Sequence, residues 1–383
     1  MYNNIKECQN LTKKNKRKLG KEVKYMSEKN TLGNTGIRVI DKIEDKKIID
    51  IVNQVSTRIM TAFPDNKLNY LDIYKTLLDT PMYYARVPKG LSKANYYYKD
   101  SSIYFSTDAS FDEIDEFIFH ECVHRLQERK DKRGNITRLG VCEVNELSVK
   151  ATALNEGAIQ FITGKAFNIP RKNITIYDIN LPERTEYYPI ITNIVSQLAF
   201  LLGEDILIDS TINGNENFKI EIIDNIGENE YSIIEKNLNE ILKLKNEIAE
   251  IQRNLQIIDK WEGESNKKNK KIASKIQSIK NIYFKTQNII YTSFFDNLLK
   301  RAENDIEVNM IKNKLLDYRN LIGTDNSNND FNEYLIKFEK SANQKIEELK
   351  NKKALMIIKD NIFLKLVNKI KRLFTTSKNE YYK

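Results

Sequence analysis

The chain has 383 residues, of which 40% are hydrophobic and 10% aromatic, enough for a sizeable core and two or three domains rather than a disordered polymer. Three cysteines (Cys8, Cys122, Cys142) are odd in number and lack CxxC spacing, which argues against a disulfide framework or a cysteine-based zinc site. The net charge of +9 belongs to the ends: residues 1–30 hold nine Lys/Arg against three acids, residues 341–383 eleven against four, and residues 31–340 are net acidic.

Basic ends suit an anionic partner, such as a membrane surface or an acidic protein, or else serve as solubilising tails. Nucleic-acid binding is not expected, because no zinc finger, recognition helix or aromatic-basic motif accompanies the charge. The opening MYNNIKECQNLTKKNKRKLG lacks the apolar core of a signal sequence, and no stretch approaches ~18 uncharged apolar residues. A reducing, cytoplasmic setting is the expectation.

Residues 1–40 read as a basic, flexible arm. IIDIVNQVSTRIMTAF (48–63) and LDIYKTLL (71–78) carry helical periodicity. PMYYARV and ANYYYKDSSIYFS read as strands, the second forming a hairpin at Lys99-Asp100-Ser101. Ser110 with Glu113 predicts a capping box opening a helix whose first turns hold Asp112, Glu113, Asp115 and Glu116. Gly134 and Gly140 bracket the turn after it. A second helix is predicted over CEVNELSVKATALNEGAIQFITGKAF (142–167), and a third over IITNIVSQLAFLLG after an irregular stretch flanked by Pro182 and Pro189.

Near residue 210 the texture changes. No proline follows Pro189, and past Tyr231 only Gly263 and Gly323 interrupt the chain. The expected division is an α+β domain at 41–210, a linker at 211–230 and an all-helical module at 231–383. That module is expected to hold three long helices, separated at GESNKKNKK (263–271) and GTDNSNND (323–330). Its apolar residues from Ile234 to Ile258 recur at three- and four-residue steps, coiled-coil-like, with Lys245 interrupting the seam. ALMIIKDNIFLKLVNKIKRLF (354–374) sets Leu355, Ile358, Ile362, Leu366, Ile370 and Leu373 on one face of a basic amphipathic helix. It reads as the outer helix of a bundle or as a membrane-surface helix.

The chemistry concentrates at HECVH, residues 120–124, which contains both histidines of the chain. On a helix, positions i and i+4 share a face, so His120 and His124 aim two imidazoles at one point. Zinc accepts such nitrogens and, in catalytic sites, keeps one position for water. Glu121 projects beside that point, where a carboxylate can move protons. Phe117, Ile118, Phe119, Cys122, Val123 and Leu126 make this a mostly buried helix, and buried histidines need partners.

HECVH resembles the signature of the zincin metallopeptidases, and the hairpin with SSIYFS ahead of it resembles the edge strand that precedes it in that fold. In zincins that strand usually binds peptide substrate by β-augmentation. With no third histidine, the resemblance implies a gluzincin-like site completed by a carboxylate from a later helix. Glu143, Glu146 and Glu156 are the candidates. Eighteen residues separate Glu143 from His124, a spacing some gluzincins use. Glu156 is preferred because its Leu-Asn-Glu-Gly context resembles the zinc-glutamate element of the aminopeptidase branch, although the thirty-one residues between it and His124 depart from that branch's spacing. The resemblance also implies an oxyanion donor, here a tyrosine. Tyr187 and Tyr188 in TEYYPIITN are the best placed, with Arg184 adjacent. The expected function is a zinc-dependent peptidase using zinc-activated water, with Glu121 as general base and then acid. The alternative is a non-catalytic helical scaffold with a structural or vestigial zinc site. The helical module is expected to select the peptide or protein substrate and to contribute nothing to the zinc chemistry.

Overall fold

The computed structural model describes residues 32, 35–88, 91–144, 149–185, 187–257, 262–323 and 329–379. The arm expected at 1–40 falls outside these except for 32 and 35–40, and its last residues already enter strand β1 (Arg38–Lys42). Helix α1 (Asp45–Ala62) follows, burying Ile48, Ile51, Val52, Val55 and Ile59 at helical spacing. Helix α2 (Tyr70–Leu78) is opened by Asn69, whose side chain accepts from the Leu71 and Asp72 N–H groups.

Strands β2 (Met82–Arg86), β3 (Ala94–Tyr97) and β4 (Ser102–Ser106) join β1 in one sheet of order β1-β2-β4-β3. β3 and β4 form the expected hairpin, pairing Tyr96 with Ile103, and β2 runs parallel to β4. The SSIYFS strand is therefore paired on both sides. The sheet's edges are β1 and β3, so within the hairpin it is β3, not SSIYFS itself, that lies at an edge.

Helix α3 (Glu116–Leu126) opens later than the predicted capping box. Asp115 is the N-cap, accepting from the Ile118 N–H at 2.9 Å. Ser110 bonds instead to Asp112. Gln54 of α1 explains the delay, because it donates to the Phe111 carbonyl and accepts from the Ile114 N–H, using groups a helix would need.

The segment 128–150 is an antiparallel meander rather than the start of a helix. It runs β5 (Glu128–Lys130), β6 (Ile136–Leu139), β7 (Cys142–Val144) and β8 (Val149–Lys150). Helix α4 (Thr152–Ala166) begins ten residues later than predicted, after Ala151 takes a left-handed conformation with φ 59°. The stretch before Pro189 is a hairpin, β9 (Lys172–Ile176) with β10 (Ile179–Glu183), turned by positive-φ Tyr177 and Asp178. Helix α5 (Pro189–Leu202) is buried along nearly its whole length and is followed by α6 (Glu204–Ile212) at a 118° bend. No single described helix is long and apolar enough to cross a membrane.

The C-terminal region is helical: α7 (Asn217–Asn225), α8 (Glu228–Ile257), α9 (Glu262–Arg301), α10 (Asp305–Ile322) and α11 (Asn329–Asn379). GESNKKNKK lies within α9 instead of breaking it. An unforeseen break falls before α10, where Asn304 caps the Glu307 N–H and Glu307 returns a carboxylate to the Glu303 N–H. One apolar core runs from Ile43 through the meander and α4–α5 into α8–α11, ending at Ala342. Residues 211–230, expected as a linker, bury Phe218, Ile222 and Ile226 in it. Beyond this core α11 continues with its large apolar residues exposed, Ile362 at 54% and Phe363 at 68%, so no described element covers it as in a bundle.

Candidate metal centre

His120 and His124 lie one turn apart on α3, and Glu156 lies on the facing side of α4, all three buried. The two Nε2 atoms are 3.2 Å apart. Glu156 reaches them with Oε2 at 3.5 Å from His120 and Oε1 at 3.6 Å from His124. Two ligands held at the usual zinc distances by one tetrahedral ion stand about 3.4 Å from each other. The spacing therefore matches a common ion.

Hydrogen bonding makes the same demand. His120 Nδ1 meets Gln160 Oε1 at 3.0 Å, and that oxygen can only accept, so the proton sits on Nδ1 and Nε2 presents a lone pair. Glu156 Oε2 is buried without a hydrogen-bond partner. Two imidazole nitrogens and a carboxylate facing one another suit a divalent cation. Burial opposes ionisation of Glu156, yet the two histidines hold its carboxyl well below the usual range.

The LNEG run positions Glu156 residue by residue. Leu154 is in the core. Asn155 exchanges amide hydrogen bonds with Gln127 just past α3, and its Oδ1 also accepts from the Val141 N–H. Gly157 lets α5 approach, since a Cβ there would stand 2.7 Å from Val195 Cγ2 and 2.9 Å from Ile191 Cγ2. Gln160, one turn past Glu156, is held in turn by Thr185, to whose Oγ1 it donates at 2.6 Å. Sequence reasoning missed Gln160, although its i+4 spacing places it on the same face as Glu156.

Glu121 is buried beside His120, and its Oε2 accepts the Tyr96 N–H from the edge strand β3 at 2.7 Å. Burial pushes its carboxyl up to about 7, against the pull of His120 and that N–H. Tyr96 supports the site twice more. Its ring stacks on His124 at 5.8 Å and 6°, and its hydroxyl donates to Glu128. Glu128 is fixed by Ser101, Arg125 and Lys130.

The other candidates separate. Glu143 lies on β7 paired with Lys219, away from the histidines. Glu146 lies outside the described residues. Tyr187 stands edge-on to His120 at 6.3 Å, and Tyr188 packs against Tyr187 at 4.6 Å. Burial raises the Tyr187 hydroxyl to about 12 and Tyr188 further, so both stay protonated donors. Arg184 turns away and donates to the Ile169 carbonyl.

The helical region reaches the two tyrosines beside this centre. Lys245 of α8 places Nζ 3.6 Å from the Tyr188 ring centroid and 5.0 Å from that of Tyr187. Burial lowers its ammonium to about 8 while the charge of Glu156 pulls the other way. No family model, curated protein or solved structure matches this chain.

Proposed function

We propose that the chain is a zinc-dependent metallopeptidase of the zincin type, gluzincin-like in its ligands. The observation that carries this reading is the convergence of His120, His124 and Glu156 at the mutual spacing of zinc ligands, with Glu121 buried alongside. His120 Nε2, His124 Nε2 and a Glu156 oxygen would hold the metal. Zinc, when bound, supplies a Lewis acid that polarises a peptide carbonyl and makes water more acidic.

The chain's own groups move the protons. Glu121 Oε2 is committed to the Tyr96 N–H, which leaves Oε1 to take a proton from the attacking water and pass it to the leaving amine. A carboxyl raised to about 7 is suited to both halves of that transfer near neutral pH. The Tyr187 hydroxyl, kept protonated by burial, is the donor for the developing oxyanion. Gln160 and Tyr96 hold the two imidazoles in orientation.

The test is metal analysis and peptide hydrolysis on the full-length protein. Wild type should carry about one zinc. His120→Ala and His124→Ala should lose it, and Glu121→Gln should keep it while losing hydrolysis. Stoichiometric zinc in both histidine variants, or undiminished hydrolysis by Glu121→Gln, would overturn the reading.

A further inference from the structure

A lysine that leaves bulk water gives up hydration, and folded proteins normally compensate with a carboxylate. The partly buried Lys275 of α9 obeys this rule by pairing with Glu247. Lys245 does not. Among the described residues no carboxylate lies within ion-pairing distance of its Nζ, which rests over two tyrosine faces. Its neighbours Leu242, Leu244 and Ile248 are buried, so an aliphatic side chain would suit the packing at 245 better. The acid whose charge bears on it is Glu156, which the metal reading commits to a cation.

Lys245 is also near the reacting centre. The Tyr187 ring is 6.3 Å from His120 and 5.0 Å from Nζ, which bounds the ammonium to about 11 Å from the imidazole, some three residues of extended chain. We propose that Lys245, its ammonium resting on the faces of Tyr187 and Tyr188, binds a carboxylate of the substrate within three residues of the scissile bond. This deepens the peptidase reading and rests on it. The substrate class is a peptide with an acidic side chain, or its own terminal carboxylate, close to the point of cleavage.

The test is calorimetric binding to the full-length Glu121→Gln protein with zinc added, which binds without cleaving. Four alanine-based hexapeptides serve as probes: Glu or Gln near the centre, each with a free or an amidated C-terminus. A carboxylate engaged by Lys245 should tighten binding by about tenfold to a hundredfold. Preference confined to the Glu/Gln comparison identifies the side chain, and preference confined to the free/amidated comparison identifies the terminus. Adding Lys245→Met, which keeps the length of the side chain, should erase the preference without changing zinc content or lowering the melting temperature. Lys245→Arg should restore part of it. Equal affinity for all four peptides, or a preference that survives Lys245→Met, would overturn the proposal. The peptidase reading is judged separately, by wild-type hydrolysis. Acid-selective binding without cleavage sinks that reading alone, and cleavage without acid preference sinks the Lys245 proposal alone.

Discussion

Replacing Gln160 with Leu tests whether the histidines are oriented for a metal or merely buried. The side chain keeps similar bulk but loses the 3.0 Å bond that fixes the proton on His120 Nδ1. Without metal, the imidazole can move its proton to Nε2 and face its neighbours there, so metal-free stability should fall by little. With metal, Nε2 must present its lone pair, and the Nδ1–H is then buried with no acceptor. Losing such a partner typically costs tenfold to a hundredfold in affinity, about 1.4–2.8 kcal/mol. That figure lies within the ~1–3 kcal/mol of an unsatisfied buried donor. Gln160→Glu should hold or tighten the metal, since a carboxylate accepts more strongly from the same N–H. Competition against a chromophoric chelator gives the affinities, and thermal melting of the metal-free proteins gives the control. Zinc affinity of Gln160→Leu within twofold of wild type would refute the reasoning.

Glu156→Ala should lose zinc, while Glu143→Ala, which removes only a surface pair with Lys219, should keep it; atomic absorption on both decides between them. Tyr187→Phe should lower turnover by about tenfold to a thousandfold with zinc intact, and full activity would remove its hydroxyl from the mechanism. Burial raises Glu183 from its ordinary 4.5 to about 7, against the Arg184 N–H and the charges of Arg171 and Arg184. The unfolded chain thus releases this proton first, and the fold loses stability as pH climbs from 4.5 to 7. Glu183→Gln should therefore gain up to about 3 kcal/mol at pH 8 and nothing near pH 4, read from denaturant melts. The exposed stripe Leu355, Ile358, Ile362, Leu366 and Ile370, in a stretch with six lysines and one acid between 350 and 370, should bring the full-length protein down with phosphatidylglycerol vesicles at low salt. No sedimentation, or none lost in Ile358→Asn with Ile362→Asn, would exclude this use of α11.

Helices whose apolar residues repeat every three or four positions, such as α1 and α5, were legible because burial on one stripe writes itself into local spacing. The meander β5–β8 was not. Its strands are two to four residues long, and its pairings, such as Glu143 with Lys150, join residues whose sequence spacing also suits a helix. The histidines were legible because helix geometry alone brings i and i+4 together, and Gln160 stood on the same logic. Tyr96 was not, because its ring and its N–H reach α3 from a strand more than twenty residues earlier. Lys245 did leave a trace: a charge breaking an apolar seam marks either a flaw in the seam or a place where charge is wanted.

The change of texture near residue 230 marks a change in local structure, but the hydrogen bonds cross it. Helix α4 has no side-chain cap of its own, because Ala151 occupies the N-cap position. Its first amides are met from α8 instead: Ala151 N–H donates to Glu235 Oε1 at 2.8 Å and Ala153 N–H to Asn239 Oδ1 at 3.0 Å. A cap of this kind contributes about 0.5–2 kcal/mol, and the negative Glu235 also complements the helix dipole. Glu235, Asn239, Leu242 and Lys245 follow one another at steps of four, three and three, so a single stripe of α8 caps the helix carrying Glu156 and places the ammonium over Tyr187 and Tyr188. A displacement of α8 along its axis would uncap α4 and withdraw Lys245 in the same movement. One helix thus holds both the start of the helix that carries Glu156 and the ammonium over the two tyrosines, although Glu156 and Lys245 are 89 positions apart in sequence.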